Sequence, residues 1–150
     1  MTKMIQCVSP VDGRVYAERP ALSPEAAAAA AGRAKAAQPG WAALSLDERI
    51  ARVKAGVAAL SAMADPIVEE LAWQMGRPTR FGGEFGGVNE RTEYMASIAA
   101  EALAPIVAES SDKFERRIEW APQGVVFIIA PWNYPYLTAI NTIVPALIAG

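Results

Sequence analysis

Apolar residues follow a helical spacing over much of the first two thirds of this chain. Ser45-Leu46-Asp47-Glu48 is typical of a capping box, because Glu48 stands three residues after the candidate cap Ser45. Downstream, apolar residues recur every three or four positions, as on one helix face: Ile50, Val53, Val57 and Leu60. Similar signals predict helices from Ser23 to Pro39-Gly40, from Asp65 to Gly76 and from Glu84 to about Leu103.

Two further stretches have patterns typical of exposed β-structure. Residues 5–8 and 14–17 flank a Pro-Val-Asp-Gly turn and predict a small β-hairpin arm. Residues 114–121 alternate charged and apolar side chains, which predicts a half-exposed strand.

A buried strand and a helix are predicted near the end of the sequence. Residues 125–130 form a continuous apolar run rich in β-branched side chains, which is typical of a strand buried on both faces of a parallel sheet. Pro131 ends this run, and a helix is predicted from Tyr134 or Pro135 to about Leu147, with a bend at Pro145. A strand followed by a helix is the first half of a βαβ unit, so the predicted fold class is α/β. The returning strand does not follow, so we expect a larger sheet.

Residue counts narrow the possible chemistry. The chain has 150 residues, 0 His and 1 Cys. The lack of histidine excludes a Ser-His-Asp triad, and a single cysteine excludes a disulfide within the chain. Metal sites built on imidazole or on several thiolates are excluded too, so no metal is predicted. Carboxylates, lysines, tyrosines and backbone amides are left as candidate catalytic groups.

Charge and its distribution bear on partners and location. The net charge is -2 and the sequence pI is about 5.2, so no nucleic-acid partner is predicted. Residues 1–7 lack the apolar core of a signal peptide, so we expect a cytoplasmic protein. Residues 120–150 carry no charge, but prolines divide them into runs far shorter than the ~20 residues of a spanning helix, so no membrane partner is predicted. Alternatively, the chain is a non-catalytic helical interaction module, and this uncharged stretch docks on a partner protein.

The loop after the predicted buried strand carries the candidate chemistry. Ligands of open α/β sheets bind where loops leave the carboxyl ends of strands. Here that loop contains Asn133, a neutral amide between Pro131 and Pro135. An amide N–H fixed in a site that excludes water stabilises a developing oxyanion by about 2.7–4 kcal/mol. Alternatively, Asn133 merely caps the helix that follows.

Several motifs, in order along the chain, resemble the NAD(P)-dependent aldehyde dehydrogenase superfamily. Ser9-Pro10-Val11-Asp12-Gly13 resembles the family's opening Asn-Pro-x-x-Gly, with Ser9 in place of Asn. The other matching segments are Trp41 with Glu48-Arg49, Met75-Gly76-Arg77-Pro78, Glu84, Pro122-x-Gly124-Val125, Pro131-Trp132-Asn133-Tyr134-Pro135 and Pro145-Ala146-Leu147-x-Ala149-Gly150. The resemblance implies an N-terminal portion of such an enzyme, with the first strand and helix of a Rossmann-like sheet.

The resemblance also implies roles for individual residues. In the family a cysteine thiolate attacks the aldehyde, an Asn side chain holds the resulting oxyanion, and hydride passes to NAD or NADP. Asn133 matches that catalytic Asn. The positions that match the family's cofactor-binding residues are Ile129, Ala130, Pro131 and Trp132. The positions that match its substrate tunnel are Tyr134, Leu137, Thr138 and Asn141, which share one helix face. The polar pair Thr138 and Asn141 favours a somewhat polar aldehyde. Plain core packing is the alternative for all four residues.

The resemblance assigns the rest of the catalytic machinery to positions beyond Gly150. Neither the nucleophilic cysteine nor the Glu base matches a residue of this sequence, and Cys7 is interpreted as structural. We therefore expect about the first third of an enzyme, inactive by itself. The implied division is residues 1–112 (β arm and helices), 113–121 (an oligomerisation-type strand) and 122–150 (the first strand and helix of the cofactor-binding sheet). The implied partners are a small-molecule aldehyde and further copies of the protein, in a homodimer or homotetramer.

Overall fold

The computed structural model describes residues 3–81 and 83–150, and its N-terminal arm is a β-hairpin. Strand β1 (Met4–Val8) pairs antiparallel with β2 (Val15–Pro20), which confirms the predicted arm. The turn is closed by a 2.8 Å hydrogen bond from the Ser9 N–H to the Arg14 carbonyl. The arm lies on the third helix, where the rings of Tyr16 and Trp73 stack with centroids 6.3 Å apart.

Five α-helices form most of the described fold. Their bounds are α1 Pro24–Ala42, α2 Leu46–Ser61, α3 Ala64–Met75, α4 Phe85–Ala102 and α5 Pro135–Ala149, with a short 3-10 turn at Thr79–Phe81. The predicted capping box is present, since the Ser45 side chain accepts the Glu48 N–H and the Glu48 carboxylate accepts the Ser45 N–H. Gly76 ends α3 with a φ of 76°, a left-handed conformation that favours glycine.

The predicted end of α1 at Pro39-Gly40 is wrong. Helix α1 includes both residues and continues to Ala42. Proline removes one intrahelical hydrogen bond, but its φ is compatible with a helix. The last turn is also held from outside, because Trp41 and Gln38 donate hydrogen bonds to carbonyls at the end of α5. These tertiary contacts outweigh the local preference of Pro39-Gly40.

The core lies where α2, α4 and α5 pack together. It is formed by buried side chains from all three helices: Val53, Val57, Phe85, Val88, Ala99, Ile140, Val144 and Ile148. Two of the four residues in the predicted α2 stripe are buried, and the other two pack against this cluster. The helical spacing of the sequence therefore predicted the buried face of α2 correctly.

The strands after α4 differ from the prediction. A second antiparallel hairpin consists of β3 (Ile106–Ser110) and β4 (Glu115–Ile118), so the strand predicted at 114–121 is shorter and has a partner that was not predicted. All nine residues of the two strands are exposed.

No strand forms at residues 125–130, although the sequence predicts one there. Phe127 and Ile129 are 87% and 82% exposed, instead of buried. A strand in a sheet needs a neighbour for its backbone groups, and both sheets in the described residues are complete two-stranded hairpins elsewhere. This segment thus has the apolar sequence of a buried strand, but the described residues form no sheet around it.

Among the helices formed by residues 3–81 and 83–150, none has the length and apolar character needed to cross a membrane.

Candidate functional site

The site predicted from the sequence is the loop that leads into α5. Residues 132–134 bend, and the helix begins at Pro135. The N-cap residue of α5 is Tyr134, and its side chain makes no capping hydrogen bond. The alternative interpretation of Asn133 as a helix cap is therefore wrong. Asn133 is exposed, and within the described part of the chain only its backbone carbonyl is hydrogen-bonded.

A buried ion pair holds this loop from beneath. The Arg77 guanidinium donates to the Glu84 carboxylate, with Nη1 and Oε1 2.8 Å apart, and the side chains are 10% and 0% exposed. A second nitrogen of the same guanidinium, Nη2, donates to the Asn133 carbonyl. The guanidinium also lies over the Tyr134 ring, 4.3 Å from its centroid. One side chain thus binds both residues at the tip of the loop.

The other oxygen of Glu84 binds the first turn of α5. Its Oε2 accepts the Leu137 N–H at 2.8 Å. The first N–H groups of a helix lack partners within the helix, and a negative charge there is favoured by the helix dipole. Glu84 therefore links Arg77 to the start of α5, although it precedes α4 in the chain.

The neighbouring tyrosine, Tyr136, lies where ionisation is disfavoured. Burial raises the pKa of Tyr136 above its ordinary value, and the carboxylates of Glu70 and Glu84 raise it further. Its ring packs on Phe85, with the centroids 5.4 Å apart. Tyr136 consequently contributes packing and no charge to this end of α5.

The four residues of the predicted substrate face lie along the start of α5, with different surroundings. Tyr134 and Thr138 are exposed, whereas Leu137 and Asn141 are half-buried. Leu137 lies against Gly87 of α4, where an added Cβ would stand 2.9 Å from Leu137 Cδ1. The Asn141 side chain donates to the Leu137 carbonyl at 3.1 Å and accepts from Arg91 at 3.2 Å. The amide of Asn141 is thus already engaged.

Of the four residues of the predicted cofactor face, Ile129 and Ala130 lie just before the loop, and Pro131 and Trp132 begin it. Ile129, Pro131 and Trp132 are exposed and Ala130 is half-buried, with Trp132 75% exposed. They form an open apolar surface beside the loop. A groove of about 390 Å³ lies earlier in the same segment, between residues 124–128, α1 and the end of α5. Asn133 is not among its lining residues.

Neither Arg77 nor Glu84 was predicted as a site residue from the sequence. Each matched a family position, but their contacts at the loop and the start of α5 are with residues far away in the sequence. Arg77 and Asn133 are 56 positions apart, and Glu84 and Leu137 are 53 positions apart. The available signal was the acidic residue just before an amphipathic helix, near a Gly-Arg-Pro loop.

The described fold is shared with solved aldehyde dehydrogenases. The crystal structure of an NAD-dependent benzaldehyde dehydrogenase from Corynebacterium glutamicum matches with a TM-score of 0.87 and 29% identity, over 99% of this chain and 32% of that chain. The NADP-dependent glyceraldehyde-3-phosphate dehydrogenase from Bacillus halodurans C-125, complexed with NADP, matches with a TM-score of 0.87 and 28% identity, over 99% and 32%. The fold is thus the α/β fold of an aldehyde dehydrogenase N-terminal portion, as predicted.

Sequence comparison identifies the family. The profile of the Aldehyde dehydrogenase family matches residues 1–150, so this chain belongs to that family. A vanillin dehydrogenase from Corynebacterium glutamicum is 31% identical over 144 residues, which are 95% of this chain and 30% of that protein. The chain spans less than a third of the length of such curated relatives.

Proposed function

We propose that the protein containing this chain oxidises an aldehyde to a carboxylic acid with NAD or NADP, and that Asn133 stabilises the oxyanion. One observation carries this proposal. The backbone of Asn133 is held by Arg77, while its side-chain amide makes no hydrogen bond within the described residues. An amide donor on a fixed backbone meets the need of a carbonyl oxygen that is gaining negative charge. Family membership supports the reaction class.

The proposed chemistry follows that of the family. A cysteine thiolate outside the 150 residues adds to the aldehyde carbon, and the oxygen of the resulting thiohemiacetal becomes the oxyanion that Asn133 holds. As the carbonyl re-forms, hydride leaves this carbon, and a glutamate-assisted water then releases the acid and frees the thiol. NAD or NADP, when bound, supplies the hydride acceptor.

The other site residues keep the roles that the resemblance implied. We assign Ile129, Ala130, Pro131 and Trp132 to the cofactor side. Their open apolar surface fits the flat rings of a dinucleotide, which bind by stacking and apolar contact. We assign Tyr134, Leu137, Thr138 and Asn141 to the aldehyde side. Asn141 is bound to the helix backbone and to Arg91, so it shapes this wall more than it offers a free donor.

The wider organisation is proposed on the same basis. We propose the division into residues 1–112, 113–121 and 122–150, a homodimer or homotetramer, and a cytoplasmic location. The fully exposed hairpin of β3 and β4 supports an assembly role for residues 113–121, because its outer strand edges are open to pairing. Light scattering of the full-length protein, with and without substitutions in β4, tests the assembly.

The decisive experiment measures the enzyme directly. In the full-length protein, formation of NADH or NADPH is followed with a panel of apolar and polar aldehydes. Asn133→Ala is expected to lower kcat by about 10²–10³-fold with the fold intact. Asn133→Asp keeps the size of the side chain but removes the N–H donor, so it is expected to be at least as impaired. Full turnover by both variants would remove the catalytic role of Asn133.

The alternative, a non-catalytic interaction module that docks through residues 120–150, rests on the exposed apolar residues of that segment. Belonging to a family of enzymes favours the first proposal. Absence of NAD(P)-dependent turnover with every aldehyde of the panel, in a folded full-length protein, would favour the second.

A further inference from the structure

We propose that Arg77 and Glu84 are positioning residues that hold the Asn133 amide in its productive place. This inference deepens the proposed function and rests on it. The two side chains connect three separate parts of the fold: the loop after α3, the residue before α4 and the start of α5. Every side-chain hydrogen bond described for this pair ends within five residues of Asn133 or inside the pair itself.

The geometry restrains the loop on two sides. The Asn133 carbonyl accepts from Arg77, and the next side chain, Tyr134, is covered by the same guanidinium. Four residues further on, the Leu137 N–H is held by Glu84. With prolines at positions 131 and 135, the backbone that carries the Asn133 side chain has little freedom left. A functional group must be held within about 0.5 Å of its productive position, which is what such support provides.

Arginine suits this task better than lysine does. Its planar guanidinium offers several N–H donors in a fixed fork and also stacks on aromatic rings. Arg77 uses one nitrogen for Glu84, another for Asn133 and its face for Tyr134. A lysine ammonium keeps the charge beside the buried carboxylate, but it cannot reproduce all three contacts at once. Arg77→Lys therefore loosens the loop while it leaves Glu84 paired.

A purely structural role makes a different prediction. If the pair only stabilised the fold, its variants would lower the melting temperature and the folded fraction, with kcat per folded molecule unchanged. If the pair positions Asn133, kcat falls per folded molecule. A misplacement of about 1 Å is enough to cost about 10²-fold in rate.

The first experiment compares variants at the two ends of α5 in the full-length protein. Arg77→Lys and Glu84→Gln are expected to lower kcat by about 10–10²-fold per folded molecule, with the KM for the aldehyde little changed. Arg49→Lys is the matched control, because Arg49 donates to the Ile148 carbonyl at the far end of α5. Its kcat per folded molecule is expected to equal that of the unsubstituted protein. If kcat per folded molecule in Arg77→Lys and Glu84→Gln equals that in Arg49→Lys, the inference is overturned.

The second experiment tests whether Arg77 acts through Asn133. In an Asn133→Ala background the positioned amide is gone, so adding Arg77→Lys is expected to lower kcat no further. Independent effects that multiply would overturn the inference, because a double-mutant cycle reports coupling as a departure from additivity.

The same set of variants separates the positioning role from the proposed function. An unchanged kcat in Asn133→Ala alone contradicts the proposed function, whereas a lowered kcat with multiplying effects contradicts only the positioning role. If Arg77→Lys yields too little folded protein, the cycle is run with Glu84→Gln and decides in the same way.

Discussion

The two ends of α5 are held by opposite kinds of groups. At the N-terminal end, the Glu84 carboxylate accepts the Leu137 N–H, and Arg77 binds the loop that precedes the helix. At the C-terminal end, side chains from α1 and α2 donate to the last carbonyls. These bonds are Arg49 to Ile148 at 2.8 Å, Trp41 to Leu147 at 2.7 Å and Gln38 to Gly150 at 2.7 Å.

This difference matches the electrostatics of a helix. The free N–H groups at the start attract negative charge, and the free carbonyls at the end attract donors and positive charge. The ends differ in a second respect, since among the described residues only the N-terminal end uses a buried ion pair. At the C-terminal end the donors fix the helix against its neighbours, whereas at the N-terminal end the pair also fixes a loop. The contacts at the C-terminal end stabilise the helix, and we propose that those at the N-terminal end also position Asn133.

The largest expected effect on stability comes from breaking the ion pair. Arg77→Ala leaves the Glu84 carboxylate buried with the Leu137 N–H as its remaining polar contact. Removing one partner of a buried pair costs about 3–5 kcal/mol, because the remaining charge is uncompensated. We expect the urea-unfolding midpoint of the full-length protein to fall accordingly, with an unchanged slope.

The double variant Arg77→Met/Glu84→Gln serves as the control for this prediction. It removes both charges, so we expect it to be less destabilised than Arg77→Ala. A double variant that unfolds as easily as Arg77→Ala would show that packing, and not the unpaired charge, carries the cost.

The helices were predictable because their signals are local. The capping box at Ser45 and the spacing of Val53 and Val57 depend on residues within two turns of each other. The same holds for the stop at Gly76, where a left-handed φ follows from the residue itself. The end of α1 was missed because Trp41 and Gln38 are held by residues more than 100 positions away.

The strand and the supports of the site were beyond a local pattern. The run at residues 125–130 predicts a buried strand, but a strand forms only when another pairs with it, and the described residues offer none there. Asn133 was selected as a candidate from its flanking prolines and its resemblance to a known motif. Arg77 and Glu84 were not, because nothing in a single sequence shows that their side chains meet the start of α5.

A smaller effect is expected from the C-terminal end of α5. Trp41→Phe keeps an aromatic ring but removes the N–H that donates to the Leu147 carbonyl. One neutral hydrogen bond contributes about 0.5–1.5 kcal/mol, and this carbonyl at the end of a helix can bind water instead. We expect a loss of that size in urea unfolding and an unchanged kcat. A drop in kcat as large as that of Arg77→Lys would contradict the separation between the two ends.

The smallest expected effect lies where α4 meets the proposed aldehyde wall. In Gly87→Ala the new Cβ would stand 2.9 Å from Leu137 Cδ1, so the end of that flexible side chain must move. Alanine favours the helix over glycine by about 1 kcal/mol, which offsets the cost of moving Leu137. We therefore expect the unfolding free energy to change by less than about 1 kcal/mol.

The same variant tests the aldehyde wall. If Leu137 lines the aldehyde site, KM changes for large aldehydes more than for small ones. The kcat stays close to normal because Arg77 and Asn133 are untouched. Gly86→Ala on the same turn, with no atom within 4 Å of the added Cβ, is the control and should leave KM unaltered. Identical KM values for both variants across the aldehyde panel would place Leu137 in the packing between helices and outside the substrate wall.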